Sequence, residues 1–403
     1  VILFGHPTGN PNSHHAALAH YEAGRLQAIC IPWMPSQRQL DLLGCLPGIR
    51  SQVGRLARRN FPPLKDAPRI EGRIGEMGRL ARRMVGGTWA DERLSYAAND
   101  WLMRTMRIAC RNPAVSAVHC YEDCSLWQFD EAKHLGKACI YDMPIGYYPA
   151  WEETQERLAK RFADWLPRQG IRVSPFVRPV QKRKEMELAD LVLAPSSFVR
   201  RTIQQYADKP VAMAPYGVDL DFWRPCPDEQ SHQTLKFIYA GQCSLRKGIP
   251  VLLAAWKSAG LPNAQLDLVG SWQLADARRF DLPANVTFVG PVSAPALRTL
   301  YQKSSAFVFP SFFEGFGLVI LEAMACGLPV IVSDSTAGPD IVDAGSGQIV
   351  PTGDVDALVE SLRWFSDHRE RIPEMQLAAR MKAEAWTWAH YRNCVSAAVA
   401  SFA

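Results

Sequence analysis

Residues 306–332 constrain the chain most, because they read as an apolar strand, a glycine turn, a short apolar helix and a second apolar strand. Ala306–Phe309 is a continuous apolar run stopped by Pro310, the signature of a buried strand. Gly315 and Gly317 let the backbone turn tightly and approach a ligand with no Cβ in the way. Leu318, Leu321 and Ala325 recur at helical spacing, so a helix is expected from about Gly317 to Gly327, with Pro329 just beyond it. The N–H groups of Gly317, Leu318 and Val319 would then be free at the mouth of the strand, where a phosphate is favoured. Glu314 falls in the turn and Glu322 inside the helix, with seven residues between them. A carboxylate in an otherwise apolar helix is costly unless it is paired or liganded. Its depth suits a vicinal diol such as a ribose. The run 316–332 is too short and too interrupted to span a membrane.

The same strand–helix alternation recurs along the chain. In the first half, strands are expected at Val1–Phe4, around Ile29–Ile31, at Ala114–His119, Ala138–Tyr141 and Leu191–Ala194. A first helix is expected from about Ser13 to Gly24. In the second half they are expected at Leu235–Ala240, Leu266–Val269, Val286–Val289, Ala306–Phe309 and Val330–Val332. Repeated β-α units imply an α/β fold with doubly wound parallel sheets. At 403 residues the chain has room for two such domains.

The stretch 310–331 resembles, throughout its length, the E-x7-E signature of the retaining glycosyltransferases of family 4, whose fold is GT-B: two Rossmann-like domains facing a central cleft. Three further segments are similar to family elements. Tyr216–Pro225 resembles the interdomain G-V-D-x-x-x-F-x-P element. Gly241–Gly248 resembles the G-R-x-x-x-R-K-G loop that lays cations against a diphosphate, with Gln242 where the family often has arginine. Thr8–His14 resembles the N-terminal Gly-Gly loop, with Asn10 at the second glycine. The resemblance implies an acceptor-side domain over 1–225, a nucleotide-sugar domain over 226–385 and a terminal helix, 386–403, crossing back to the first domain.

The resemblance also assigns roles. Glu314 would bond the transferred sugar, and Lys247 and Arg246 would face the diphosphate. Glu322 would hold the ribose. Gly315, Phe316, Gly317, Leu318, Val319, Gln242 and Gly9 would line the donor. Asp142, where many members have a histidine at the donor sugar, and His119, in a turn resembling H-x-H-E, join the catalytic group. His14 and Asn10 lie on the acceptor side. The implied donor is a nucleotide-diphosphate sugar, with UDP and GDP both open, and the acceptor is a saccharide or lipid-linked sugar of cell-surface polysaccharide or glycolipid synthesis. No cofactor or metal is implied, and Asp219-x-Asp221, spelled like a metal motif, falls in the interdomain element. Two other outcomes stay open: a catalytically silent sugar-nucleotide-binding partner, and another GT-B reaction such as epimerisation.

The formal charge of +5 is uneven. Positions 38–83 hold eleven Lys/Arg against four Asp/Glu, a net +7, which leaves about −2 for the rest. Arg79, Leu80, Arg82, Arg83 and Met84 read as a basic amphipathic stretch suited to an anionic membrane surface, and 38–88 is the segment expected to dock there. Confinement of the charge to one segment, with no nucleic-acid motif, argues against nucleic acid. Ten scattered cysteines, with no finger-spaced second pair, fit reduced thiols. The expected location is cytoplasmic, peripheral on the inner face of the membrane.

Overall fold

The computed structural model describes residues 1–45, 50–78, 88–167, 178–226 and 234–402. Two parallel sheets organise them. The first contains β1 (Ile2–Gly5), β2 (Leu26–Ile31), β3 (Arg69–Glu71), β4 (Ala117–Tyr121), β5 (Ala138–Asp142), β6 (Leu191–Ala194) and β7 (Val211–Met213), in the order β3-β2-β1-β4-β5-β6-β7. The second contains β8 (Leu235–Ala240), β9 (Ala264–Val269), β10 (Val286–Gly290), β11 (Ala306–Phe309), β12 (Val330–Ser333) and β13 (Gly347–Val350), in the order β10-β9-β8-β11-β12-β13. Helices cover both faces, as parallel strands buried on two sides require. Ile2, Leu3, Val118, Ile140 and Val192 in the first sheet, and Phe237, Ile238, Phe307 and Ile331 in the second, are almost wholly buried. Each such side chain contributes roughly 1.5–3 kcal/mol on removal from water.

Three sequence expectations shift. β4 begins at Ala117, not Ala114, because Val115 N–H closes a turn on the Asn112 carbonyl (3.0 Å). The strand instead runs on to Tyr121, which pairs with Asp142, so His119 lies inside the strand and not at its end. The first helix spans Pro11–Glu22 and starts before Ser13, because Asn10 is its N-cap: the Asn10 side chain accepts from Ser13 N–H and Ser13 Oγ accepts from Asn10 N–H, both at 2.9 Å. β3, β7 and β13 lacked a sequence signal; the first two have three residues each, and all three border a sheet edge or end it.

The chain returns to the first sheet at its end. The terminal helix Trp388–Ala398 packs on helix Pro11–Glu22, where Arg392 pairs with Glu22 at 2.8 Å and lies 3.2 Å from His15 Nδ1. The linker meets it at Val218, whose N–H donates to the Trp386 carbonyl at 2.9 Å. A Cβ on Gly217 would stand 2.2 Å from the Trp388 nitrogen, so glycine is required at this crossing.

Loops after β5 and β6 meet the loop after β11. Gly315 passes so close that a Cβ there would lie 1.8 Å from the Pro144 carbonyl oxygen. The Ser196 hydroxyl donates to the Gly315 carbonyl, and Phe313 packs against Trp151 and Phe198 with ring centroids at 5.3 Å in each case. The E-x7-E turn is therefore clamped between the lobes.

Candidate active site

Helix Leu318–Ala325 follows a left-handed Gly317 (φ 83°), and no side chain caps it. Its exposed backbone N–H groups are the local positive pole that an anion needs. Phe316 is buried against Tyr216 (5.5 Å) and Trp386 (6.1 Å), so it anchors the turn to the linker and presents no open ring to a ligand. The helix interior is held by Ile320, Leu321, Ala323 and Met324, all fully buried.

Glu314 leaves the turn toward the loop after β8. One carboxylate oxygen contacts the Lys247 ammonium, and the other stands 3.7 Å from the Arg246 guanidinium. Arg246 is fixed by a 3.0 Å bond from Nη1 to the Phe313 carbonyl, and its own carbonyl accepts from Phe312 N–H at 2.7 Å. Lys247 also lies over the Phe309 ring at 4.8 Å. Burial lowers the Lys247 pKa, and Glu314 opposes that fall. Gly248 makes the loop possible: its φ is 76°, and a Cβ would meet the Pro310 carbonyl oxygen at 2.0 Å. The two halves of the site are thus stitched backbone to backbone before any ligand arrives. Gln242 is exposed, and its carbonyl accepts from the Tyr239 hydroxyl at 2.8 Å. Gly241 and Gly270 close the floor, since a Cβ on Gly270 would stand 1.8 Å from the Gly241 carbonyl oxygen.

Glu322 differs from Glu314. No hydrogen bond or ion pair reaches its carboxyl among the described residues, and burial pushes its pKa up to about 7. A half-buried acid with no partner, one turn inside a helix whose N-terminus is open, is shaped for hydroxyl donors from outside.

The first-lobe candidates separate into two groups. Gly9 (φ 71°) turns its N–H onto His6 Nδ1 at 2.8 Å, and Thr8 N–H reaches the same atom at 3.1 Å. That N–H is therefore spent inside the loop. Asn10 is likewise spent on capping. His14 stacks on Phe61 (5.0 Å) with Nε2 buried and unpartnered, and burial, then Arg59, lowers its pKa to about 4.

Asp142 and His119 belong to a second, deeper group. The Asp142 carboxyl is 2% exposed, stands 3.6 Å from His119 Nε2 and faces the hydroxyls of Tyr121 and Tyr391. Burial raises Asp142 to about 7 and lowers His119 to about 3, so despite their separation the pair is driven toward the neutral forms on both sides. His119 Nδ1 meets His20 Nε2 at 2.8 Å. Asp142 is thus almost wholly enclosed and reaches the E-x7-E turn through the chain, by way of Pro144 against Gly315. Sequence reading missed His6, His20 and Tyr391, which spatial packing brings to Tyr121, His119 and Asp142; no spacing along the chain announces it. Asp219 accepts from Asp221 and Phe222 N–H (3.1 and 3.0 Å) and so caps its own turn.

With this geometry in view, residues 228–386 match the family described as glycosyl transferases group 1. That stretch, similar to the family, carries the whole second sheet and both carboxylates of the E-x7-E turn. The chain is 32% identical over 202 residues to the GDP-mannose-dependent monoacylated alpha-(1-6)-phosphatidylinositol monomannoside mannosyltransferase of Corynebacterium glutamicum, covering 43% of this chain and 52% of that protein. It therefore spans about half the length of this curated relative. It is 28% identical over 300 residues to the O-antigen chain mannosyltransferase B of Escherichia coli, covering 66% of this chain and 74% of that one. The sucrose-phosphate synthase structure from Thermosynechococcus elongatus superposes with a TM-score of 0.65 at 18% identity, over 97% of this chain and 96% of its own. The two-sheet architecture is the GT-B fold.

Proposed function

We propose that the protein is a retaining, metal-independent hexosyltransferase that uses a nucleotide-diphosphate sugar. The observation that carries this reading is the pairing of a cationic loop with a glycine-opened helix N-terminus, next to an acid with no partner. Glu322 takes the ribose hydroxyls. Lys247, Arg246 and the N–H groups of Leu318 and Val319 hold the diphosphate, with Gln242 as a neutral donor at its edge. Glu314 bonds the transferred sugar once the diphosphate draws Lys247 away from it. Cations fixed where charge develops on the leaving group lower the barrier most when they are already in place.

The acceptor enters from the first lobe, past the loop that contains His14. The bond from the anomeric carbon to the diphosphate oxygen breaks, and the acceptor oxygen bonds to the same face of that carbon. The acceptor proton passes to the departing phosphate oxygen, so no protein nucleophile is needed. Asp142 and His119 act from beneath, by setting the Pro144–Gly315 contact. Clamping of the turn between the lobes would exclude water as a competing acceptor.

The acceptor we infer is lipid-linked, in glycolipid or surface-polysaccharide synthesis. Both mannosyltransferase relatives carry names of that kind. The segment 38–88 would face an anionic membrane from the cytoplasmic side: Leu42, Ile74 and Met77 are 65%, 90% and 55% exposed beside its arginines. The stretch Arg79–Met84 lies outside the described residues. No described helix is long and apolar enough to cross a membrane.

A panel of GDP- and UDP-sugars, assayed for acceptor-dependent turnover with the product anomer read by NMR, tests the reading. Retention of the donor configuration is expected. Inversion, epimerisation without acceptor, or no turnover with any donor would reject it.

A further inference from the structure

Behind the E-x7-E turn lies a second hollow that the transfer reaction does not use. It has a volume of about 680 Å³, within the range of small-molecule sites. Helices Tyr148–Arg161 and Ser197–Tyr206 form its first-lobe walls, and the loops after β11, β12 and β13 form the rest. The floor is buried and largely apolar, built from Thr154, Leu158, Phe198, Thr202 and Phe312. The rim is polar and of both signs: Glu153, Arg157, Gln205, Asp334, Ser335 and Thr352.

We infer that this hollow is an accessory saccharide site, separate from the transfer cleft, whose occupant holds the two lobes together. Three observations point to a neutral sugar. First, aromatic rings in the floor suit the apolar C–H face of a pyranose. Second, the rim offers carboxyl, amide, guanidinium and hydroxyl groups, the donor and acceptor mixture that a polyol can satisfy from both sides. Third, the charges balance, with Arg157 and Arg161 against Glu153 and Asp334, so nothing selects an ion.

Part of this inventory is already committed. Arg161 donates to the Gly353 carbonyl at 2.9 Å, and Asp334 accepts from Thr352 N–H at 3.0 Å. Arg157 makes one long bond, 3.4 Å to Thr154, and Gln205 bonds the Tyr206 hydroxyl at 3.0 Å. Ser335 Oγ accepts from Thr352 Oγ1 at 2.7 Å, so Arg157, the Gln205 carbonyl oxygen, the Ser335 O–H and the second Asp334 oxygen are the groups left to meet a ligand.

The hollow shares a wall with the donor site. Phe312 and Phe313 line it, while Phe312 N–H and the Phe313 carbonyl bond Arg246 on the other side, and the next residue is Glu314. An occupant touching both lobes would favour the closed arrangement and bear on the segment that carries Glu314. The non-reacting units of a growing saccharide are the natural occupant. That choice of ligand rests on the proposed transferase activity, but its test does not.

Mannotriose and maltotriose, each titrated into the full chain with GDP in excess and followed by saturation-transfer NMR, provide that test. At least one should bind. Gln205→Trp on the first-lobe wall and Ser335→Trp on the second-lobe wall should each weaken binding about tenfold or more. Glu314→Gln, which alters the transfer site, should leave it unchanged. Failure of both sugars to bind, wild-type affinity in either Trp variant, or loss of binding in Glu314→Gln would overturn the inference. A transferase reading that failed would show instead as absent donor turnover, with this binding intact.

Discussion

Lys247 and Glu314 form an ion pair between the loop after β8 and the turn after β11, with the lysine 9% exposed. The contact keeps a buried cation and an acid compensated, and in the proposed reaction both stand where the diphosphate and its sugar part. Lys247→Met is expected to lower kcat by roughly 10²–10³-fold, with a smaller change in KM, because the charge is needed most as the bond breaks. Steady-state donor turnover reads this. A variant with near wild-type kcat would remove Lys247 from leaving-group stabilisation.

Gly315 is predicted to be intolerant of even one methyl group. The Cβ of Gly315→Ala would lie 1.8 Å from the Pro144 carbonyl oxygen, and both atoms' neighbours are backbone. The lobes must move apart to admit it. Small-angle scattering should report a larger radius of gyration, and turnover should fall, while each lobe keeps its secondary structure by circular dichroism. An unchanged radius with unchanged turnover would contradict the clamp.

The buried histidines give the first lobe an acid limit. His119 titrates at about 3 in the folded protein and His20 well below its ordinary value, in both cases chiefly through burial. A depressed histidine contributes stability that is present above about 6.5 and is lost as pH falls toward the folded value. Asp142, raised to about 7, acts in the opposite sense, because its contribution is lost as pH rises from its ordinary value through about 7. His119→Gln should cost ~1–3 kcal/mol at pH 7.5, by disturbing a buried bond, yet lose less additional stability than wild type between pH 7 and 5. Urea unfolding at the two pH values measures this, and parallel losses in the two proteins would refute it.

Membrane docking has a described handle in Ile74 and Met77. Ile74→Ser/Met77→Ser should reduce co-flotation with vesicles containing anionic lipid at low salt, with no effect on donor turnover toward a soluble acceptor. Equal flotation of the variant and wild type would count against docking through this segment.

Much of the second lobe was legible because its signals are local. Glycines at positive φ, a proline just after β11 and another just before β12, and an acid in an apolar helix all lie within a few residues of one another around 306–332. Glu314, Lys247 and Arg246 do converge in the structure. The first lobe was less legible for physical reasons. Gly9 and Asn10 look like ligand-facing loop residues in sequence, but one N–H is consumed by His6 and the other residue caps a helix. Asp142 looks like a turn residue before Met143-Pro144. Its burial depends on Tyr391, which is far away in the chain and is brought in by the terminal helix. Charged, three-residue β3 had no pattern to find.

The central claim is that Glu322 reads the ribose, and calorimetric titration with GDP and with UDP across pH tests it most directly. Ribose hydroxyls donate to the carboxylate, whereas the free protein holds Glu322 protonated below about 7. Affinity for the preferred nucleotide should therefore rise as pH increases through about 7. Glu322→Gln should bind roughly 10–100-fold more weakly at pH 8, as expected for hydrogen bonds to a charged group, and should lose the inflection. Wild-type affinity and an unchanged pH profile in Glu322→Gln would contradict the account.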